Sequence, residues 1–336
     1  MPRYRSYLVF IFLLLLIEQL SGQQPKRYSF THYGTSSGLA ANEVWDVAQD
    51  DEGYMWIATT NGLQRFDGVR FITFRNRKND PSSIPANFVS QLMIDKNKNL
   101  WIQAGGLYVG IFDRRNFTFH PVAIKPSQEL FLYSEKNLVQ DAGGNIFMTI
   151  WNVELLTYNK EKNEFSPSYN LFQLPGGWKA TGFCQLPASN KYIAGTDRGI
   201  VIFNKQTNQL SYTGHNEGKE ELIERMGKIT GASTLIVDSK SRIWFQSWEC
   251  GGSCLYCYDT KNDSFVLYRY SFQPLVNSYH ELKAIMEQSN GDLWITGLNV
   301  FGHYIDKEKQ FELVYNGVES EQSISYNKVY ALFEDK

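Results

Sequence analysis

The sequence has 336 residues, of which 43% are hydrophobic, 20% charged and 15% aromatic, and its formal net charge is −2. That length holds one large repeat domain or two ordinary ones, and the near-neutral charge excludes a chain drawn as a whole to nucleic acid or anionic lipid. Five His are a thin supply for metal or acid–base chemistry, while so many flat rings favour strands, whose pleated, half-buried surface accommodates them.

Arg3 and Arg5 open the chain, Leu8 to Ile17 is an unbroken apolar run, and Glu18 ends it before the small-residue exit Leu20-Ser21-Gly22. This is the three-part layout of a secretory signal peptide, expected over residues 1–22; an uncleaved N-terminal anchor is the alternative. The run is about half of the roughly twenty residues a helix needs to cross a bilayer. No Cys follows it to carry a lipid, and no later segment is apolar enough for a membrane span. A periplasmic or secreted location follows, and it permits disulfides among Cys184, Cys250, Cys254 and Cys257.

From Val44 onward the chain repeats itself. Val44 to Asp50 reads as a strand, Asp51-Glu52-Gly53-Tyr54 as a polar turn, and Met55 to Thr59 as a strand opening on Trp56. A Gly hairpin, Gly62 to Asp67, and the aromatic strand Phe71 to Phe74 complete four short strands. The order returns at Val89 to Phe119, at Leu138 to Phe165, weakly at Lys191 to Phe203, at Leu235 to Tyr268 and at Ala284 to Tyr315. A seventh copy opens at Val329 and is cut short at Lys336. The aromatic anchors Trp56, Trp101, Phe147, Tyr192, Trp244 and Trp294 are spaced 45, 46, 45, 52 and 50 residues apart. Four strands at that period predict an all-β, seven-bladed β-propeller over residues 28–336, its last blade incomplete. Tyr28 to Tyr33 resembles the outer strands and is expected to close the ring from the N-terminal end. Only Glu217 to Gly227 looks helical.

Each repeat position has a physical role. The anchor ring is expected to pack between blades, where an aromatic buries most area. The Asp six residues before it (Asp50, Asp95, Asp141, Asp238) is expected to accept turn N–H bonds. The third residue before the anchor is Gly53, Gly144 or Gly291 but also Lys98 or Ser241, so a positive φ there prefers Gly without requiring it.

Three runs carry a family resemblance: Gly38 to Asp46 (GLAANEVWD), Gln49 to Thr59 (QDDEGYMWIAT) and Gly62 to Gly68 (GLQRFDG). Together they resemble the two-component regulator propeller repeat, which forms the periplasmic sensor of hybrid two-component systems in Bacteroidetes. The resemblance implies a sensor of oligosaccharides released from polysaccharides. In intact family members it also implies a possible homodimer, followed by membrane-span, kinase and DNA-binding segments that this chain lacks.

Candidate site residues follow from where propellers form pockets, on the face where inter-blade loops and second-to-third-strand hairpins converge. Those segments are Arg75 to Asn87, Gln103 to Gly106, Trp151 to Val153, Trp178, Gln246 to Glu249 and Asn277 to His280. Trp151, Trp178, Trp248, Tyr279 and His280 lie outside the anchor positions, and with Arg75 and Asn87 they offer stacking faces and hydroxyl partners for a sugar. Packing from blade to blade is the competing role for the rings. Turn capping is the competing role for Asn42, Asn87 and Asn327. A mouth lined by aromatics and amides would favour a sensor. Paired carboxylates with several arginines would favour a secreted glycosidase or lyase, and a featureless mouth would favour an interaction scaffold. Cys250, Cys254 and Cys257 have the CxxxCxxC spacing of iron–sulfur enzymes, but a secreted strand–turn–strand context disfavours a cluster. A Cys250–Cys254 disulfide and free half-buried thiols both remain open. No catalytic residue, metal, cofactor or nucleic-acid partner is expected.

Overall fold

The computed structural model describes residues 30–125, 134–187, 189–249, 252–268, 280–314 and 328–335. The expected signal peptide and Tyr279, Asn327 and Cys250 lie outside the described residues. Two compact units are distinguished. Only residues 30–32 of the first are described, and everything below concerns the second.

That unit is built from antiparallel meanders. The first holds β1 (Val44–Gln49), β2 (Met55–Thr59), β3 (Gly62–Phe66) and β4 (Phe71–Phe74). The second holds β5 (Val89–Ile94), β6 (Leu100–Ala104), β7 (Tyr108–Asp113) and β8 (Thr118–Ile124), and the third β9 (Lys136–Gln140), β10 (Ile146–Ile150), β11 (Glu154–Asn159) and β12 (Glu164–Ser166). The fourth comprises β13 (Ala180–Gln185), β14 (Lys191–Thr196), β15 (Gly199–Asn204) and β16 (Gln209–Ser211). The fifth comprises β17 (Ser233–Val237), β18 (Arg242–Ser247), β19 (Cys254–Asp259) and β20 (Ser264–Tyr268), and the sixth β21 (Glu281–Glu287), β22 (Leu293–Leu298), β23 (Val300–Ile305) and β24 (Gln310–Leu313). Every meander pairs in the order of the sequence, as propeller blades do. One helical turn, α1 (Glu221–Met226), lies in a connection, where the helical pattern was expected. The outer strands β8 and β12 also pair with each other, in parallel, through Ala123 with Glu164 and Ile124 with Phe165. This covers two edges that would otherwise stay open.

The anchors fix each blade to the next. Trp56, Trp101 and Trp244 are fully buried. Trp56 stacks on Phe74 of its own blade and meets Phe112 of the second edge-on, Trp101 meets Tyr158 and Phe165 of the third, and Trp244 meets Tyr304 and Phe311 of the sixth. The Asp before each Trp does more than cap a turn. Asp50 Oδ1 accepts the N–H bonds of Glu52 and Tyr54, and Oδ2 accepts the Trp56 indole N–H at 2.8 Å. Asp95 holds Asn97, Asn99 and Trp101 in the same way, and Asp238 holds Lys240, Arg242 and Trp244. In the sixth blade Gln288 Oε1 takes the Trp294 indole. The third blade has Phe147 as anchor, which donates nothing. There Tyr192, the anchor of the fourth blade, donates its hydroxyl to Asp141 Oδ2 at 2.9 Å. Lys98 and Ser241, in the turn position where other copies have Gly, both have φ of 67°.

Inner strands carry a second set of ties. A register shift interrupts β1 between Val44 and Asp46, and like shifts interrupt β5, β13, β17 and β21. The shift leaves side chains turned toward the neighbouring blade: Leu92 N donates to Asp46 Oδ2, Leu138 N to Gln91 Oε1, and Thr181 Oγ1 to the Ala232 carbonyl. At the other end of these strands Lys96 N donates to Gln140 Oε1, Ala142 N to Gln185 Oε1 and Ser239 N to Glu287 Oε2. Glu334 accepts from Ser289 as Glu287 does from Ser239, so residues 328–335 run along the sixth blade as an inner strand does. Of the expected closing strand Tyr28 to Tyr33, only Tyr33 falls in this unit, and it packs on Phe66 and Phe71. Cys254 is disulfide-bonded, whereas Cys184 and Cys257 are free, with burial pushing both thiols up to about 12.

Two predictions follow from these ties. Asp95→Ala strips the acceptor from a buried indole and two turn amides, and lowers the unfolding free energy by roughly 3 kcal/mol. Asp113→Ala, which loosens an exposed turn, costs less than about 1 kcal/mol. Urea titration of both variants checks this, and equal losses contradict it. Burial pushes the Asp46 carboxyl up to about 6 against the lowering pull of the Leu92 and Val47 amides. The folded protein therefore holds that proton more tightly than the unfolded chain, and the resulting stability is lost as pH rises through about 6. Asp46→Asn removes this dependence. Its stability relative to wild type improves between about pH 4 and pH 7, and a pH-independent difference rules the assignment out.

Candidate functional site

The starts of the inner strands converge on an axial cavity of about 720 Å³. Its walls come from β5, β9, β13, β17 and β21, from Trp45 of β1, from Tyr330, and from β6, β10 and β18 and the turns after them. Every described blade contributes. A smaller cavity of about 320 Å³ lies between residues 42–44 and 328–331 and involves the first inner strand and the last described segment only.

Rings form one part of the lining. Trp45 stacks flat on Tyr330, centroids 4.8 Å apart, and meets Phe88 edge-on. Trp151 and Trp248, each in a hairpin after a second strand, are 42% and 40% exposed and so present open faces. Amides form the other part. Gln103 Nε2 donates to Gln91 Oε1, and Gln91 Nε2 donates to Asn137 Oδ1, a relay from β6 through β5 to β9. Gln246 Nε2 donates to Ser253 Oγ. Gln103, Thr149 and Gln246 all stand two residues after an anchor, on the side of the second strand that faces the axis. Lys136 Nζ donates to the carbonyls of Gly106 and Ser134, and burial pushes its pKa down. Thr149 Oγ1 and Trp45 Nε1 are buried without a hydrogen-bond partner.

The sequence-derived candidates divide. Trp151 and Trp248 line the cavity. Trp178, half-buried, meets Tyr212 edge-on and packs against the apolar cluster shared by the third and fourth blades. Arg75 Nε donates to the Asn61 carbonyl, and Asn87 Oδ1 accepts from Asn76 N while its carbonyl accepts from Gly62 N. Both tie the loop between the first two blades. Asn42 likewise caps, accepting from Thr35 N. A His280 ring nitrogen lies 3.2 Å from the Ser253 carbonyl. None of these five residues is among those lining the axial cavity. Sequence reading did not single out Gln91, Lys136, Glu135, Glu281, Lys283 or Tyr330. The available signal was polar residues at the start of inner strands and two places after each anchor. No group of metal-ligating side chains is found among the described residues, and no described helix is long and apolar enough to cross a membrane.

Comparison with known proteins agrees with this architecture. Residues 38–61 match the sequence profile of the Two component regulator propeller family. Histidine kinase P4 of Formosa agariphila is 33% identical over 79 residues, a stretch that is 24% of this chain and 6% of that protein. Among solved structures, a domain described as the extracellular part of hybrid two component system BT3049 from B. thetaiotaomicron superposes with a TM-score of 0.67 at 18% identity, covering 92% of this chain and 39% of that one. Virginiamycin B lyase from Staphylococcus aureus superposes with a TM-score of 0.56 at 14% identity, covering 83% and 87% of the two chains. The chain thus spans well under half of the extracellular domain it matches. The repeat at residues 38–61 and the shared fold identify it as a β-propeller protein carrying a two component regulator propeller repeat.

Proposed function

We propose that the chain is a periplasmic or secreted ligand-sensing propeller, exported by a signal peptide at residues 1–22, and that its axial cavity binds an oligosaccharide fragment of a polysaccharide. The observation that carries this reading is the lining itself: open indole faces at Trp151 and Trp248 beside the amides of Gln91, Gln103 and Gln246. Indoles stack on the apolar faces of sugar rings, and amides supply both donors and acceptors to hydroxyls. The volume falls within the usual range for small-ligand sites. In a longer sensor, a ligand that bridges several blades would favour one of two states of a dimer. A secreted lyase is the second reading, favoured by the fold shared with virginiamycin B lyase and by the carboxylates Glu135 and Glu281 in the cavity.

A thermal-shift screen against neutral and acidic oligosaccharides of defined length tests both. A bound sugar at a hundred times its Kd stabilises by about 2.7 kcal/mol and is recovered intact. Trp151→Ala and Trp248→Ala each weaken binding roughly tenfold while leaving the unliganded Tm within a few degrees. Cleavage of the sugar replaces the sensor with the enzyme. No shift with any sugar leaves a scaffold.

A further inference from the structure

The charges of the axial cavity are arranged around Lys283. Its ammonium lies 2.7 Å from Glu281 Oε1 on its own strand and 3.4 Å from Glu135 Oε1. Glu135 precedes β9 in the third blade, 148 residues away, so this second contact reaches between blades that are not neighbours. The two partners differ in kind. The Glu281 side chain is 19% exposed, whereas that of Glu135 is 72% exposed. A long contact to an exposed carboxylate contributes close to nothing, so Glu135 can leave at small cost. Lys283 itself is 23% exposed. Burial opposes its charge, but Glu281 and Glu135 outweigh burial and hold its pKa above the ordinary lysine range. It is therefore a cation at neutral pH.

Two further lining residues carry a buried polar group without a partner. Thr149, 3% exposed, keeps a hydroxyl without a partner, and the Trp45 indole N–H is likewise unmatched. Lys136 is the second cation in the lining, and a nearby negative charge would favour its burdened charged form.

We propose that the axial site selects sugar fragments bearing a carboxylate, which takes the place of Glu135 on Lys283 while the sugar rings lie against Trp151 and Trp248. The inference rests on the oligosaccharide reading above and adds the class of sugar. Glu135 is then a placeholder that occupies the lysine until an acidic ligand arrives.

Titration calorimetry with matched probes tests it: short oligo-uronates with galacturonate, glucuronate or mannuronate backbones, each beside its fully methyl-esterified, neutral form. Wild type is expected to bind at least one acid roughly tenfold more tightly than its ester. Lys283→Met is expected to lose that preference, and Glu135→Gln to bind the acid up to severalfold more tightly than wild type because a negative charge beside the incoming carboxylate is gone. Equal binding of acid and ester overturns the inference, as does weaker binding of the acid by Glu135→Gln, a substitution at an exposed side chain that keeps the test alive if Lys283→Met misfolds. Neutral sugars that bind while no uronate does overturn the acidic preference and leave the sugar reading standing. If no sugar of either charge binds, both fall together.

Discussion

A buried carboxylate that serves a turn and a ring at once is the constraint on which this propeller depends. Burying an ionised oxygen is costly unless its lone pairs are filled. Asp50, Asp95 and Asp238 fill them with turn amides on one oxygen and an indole N–H on the other. The same contact sets where the second strand begins, orients the ring, and points it at the neighbouring blade. Chain direction, blade spacing and inter-blade packing thus follow from one residue type at one offset. The inner-strand ties then position the axial wall, because the register shifts that free Gln91 and Asp46 for bonding to the next blade occur beside the residues that line the cavity.

Much of this was readable in the sequence where local chemistry was redundant. The first blade has Asp50, Gly53, Trp56 and Gly62 in phase with alternating apolar residues, and its four strands fall where the pattern put them. The fourth blade was only half legible, since β13 and β16 carry no such punctuation. In place of an Asp turn it uses Ser189, whose hydroxyl donates to the Leu186 carbonyl and accepts from Lys191 N. The strand β23 escaped notice because Leu298-Asn299 makes the hairpin with Asn299 at φ of 53°, without the Gly that advertises such a turn. Positive φ at Lys98 and Ser241 shows the same thing from the other side: the ring of bonds around the turn holds a conformation that the residue itself disfavours.

The site was less legible than the fold, for a geometric reason. Sequence locates loops and hairpins but not the rotation of a strand about its own axis. Trp151 and Trp248 were found because a hairpin after a second strand must lie on the convergent face. Trp178 was placed with them because an unassigned Trp carries no mark of direction, and it turned out to pack on Tyr212. Arg75 and Asn87 sit in the segment expected to reach the mouth but spend their polar groups on backbone, Arg75 on the Asn61 carbonyl of the β2–β3 hairpin and Asn87 on the Asn76 amide. The amides that do line the cavity looked like ordinary strand residues until the register was known.

The pairing of Tyr192 with Asp141 has a consequence for how this protein can change. In the first, second and fifth blades the carboxylate and its ring belong to one repeat, so each can be altered with effects confined to it. Here the third blade supplies the acceptor and the fourth the donor. Placing Trp at position 147 would bring a third donor to an oxygen that already accepts from Asn145 Nδ2 and the Tyr192 hydroxyl, and removing that hydroxyl would strip a partner from a turn in another repeat. Substitutions at these two positions are therefore non-additive although they lie in different repeats. For heredity, the unit in this stretch of the ring is a pair of blades, and a duplication or exchange of either one alone would carry half of an interaction.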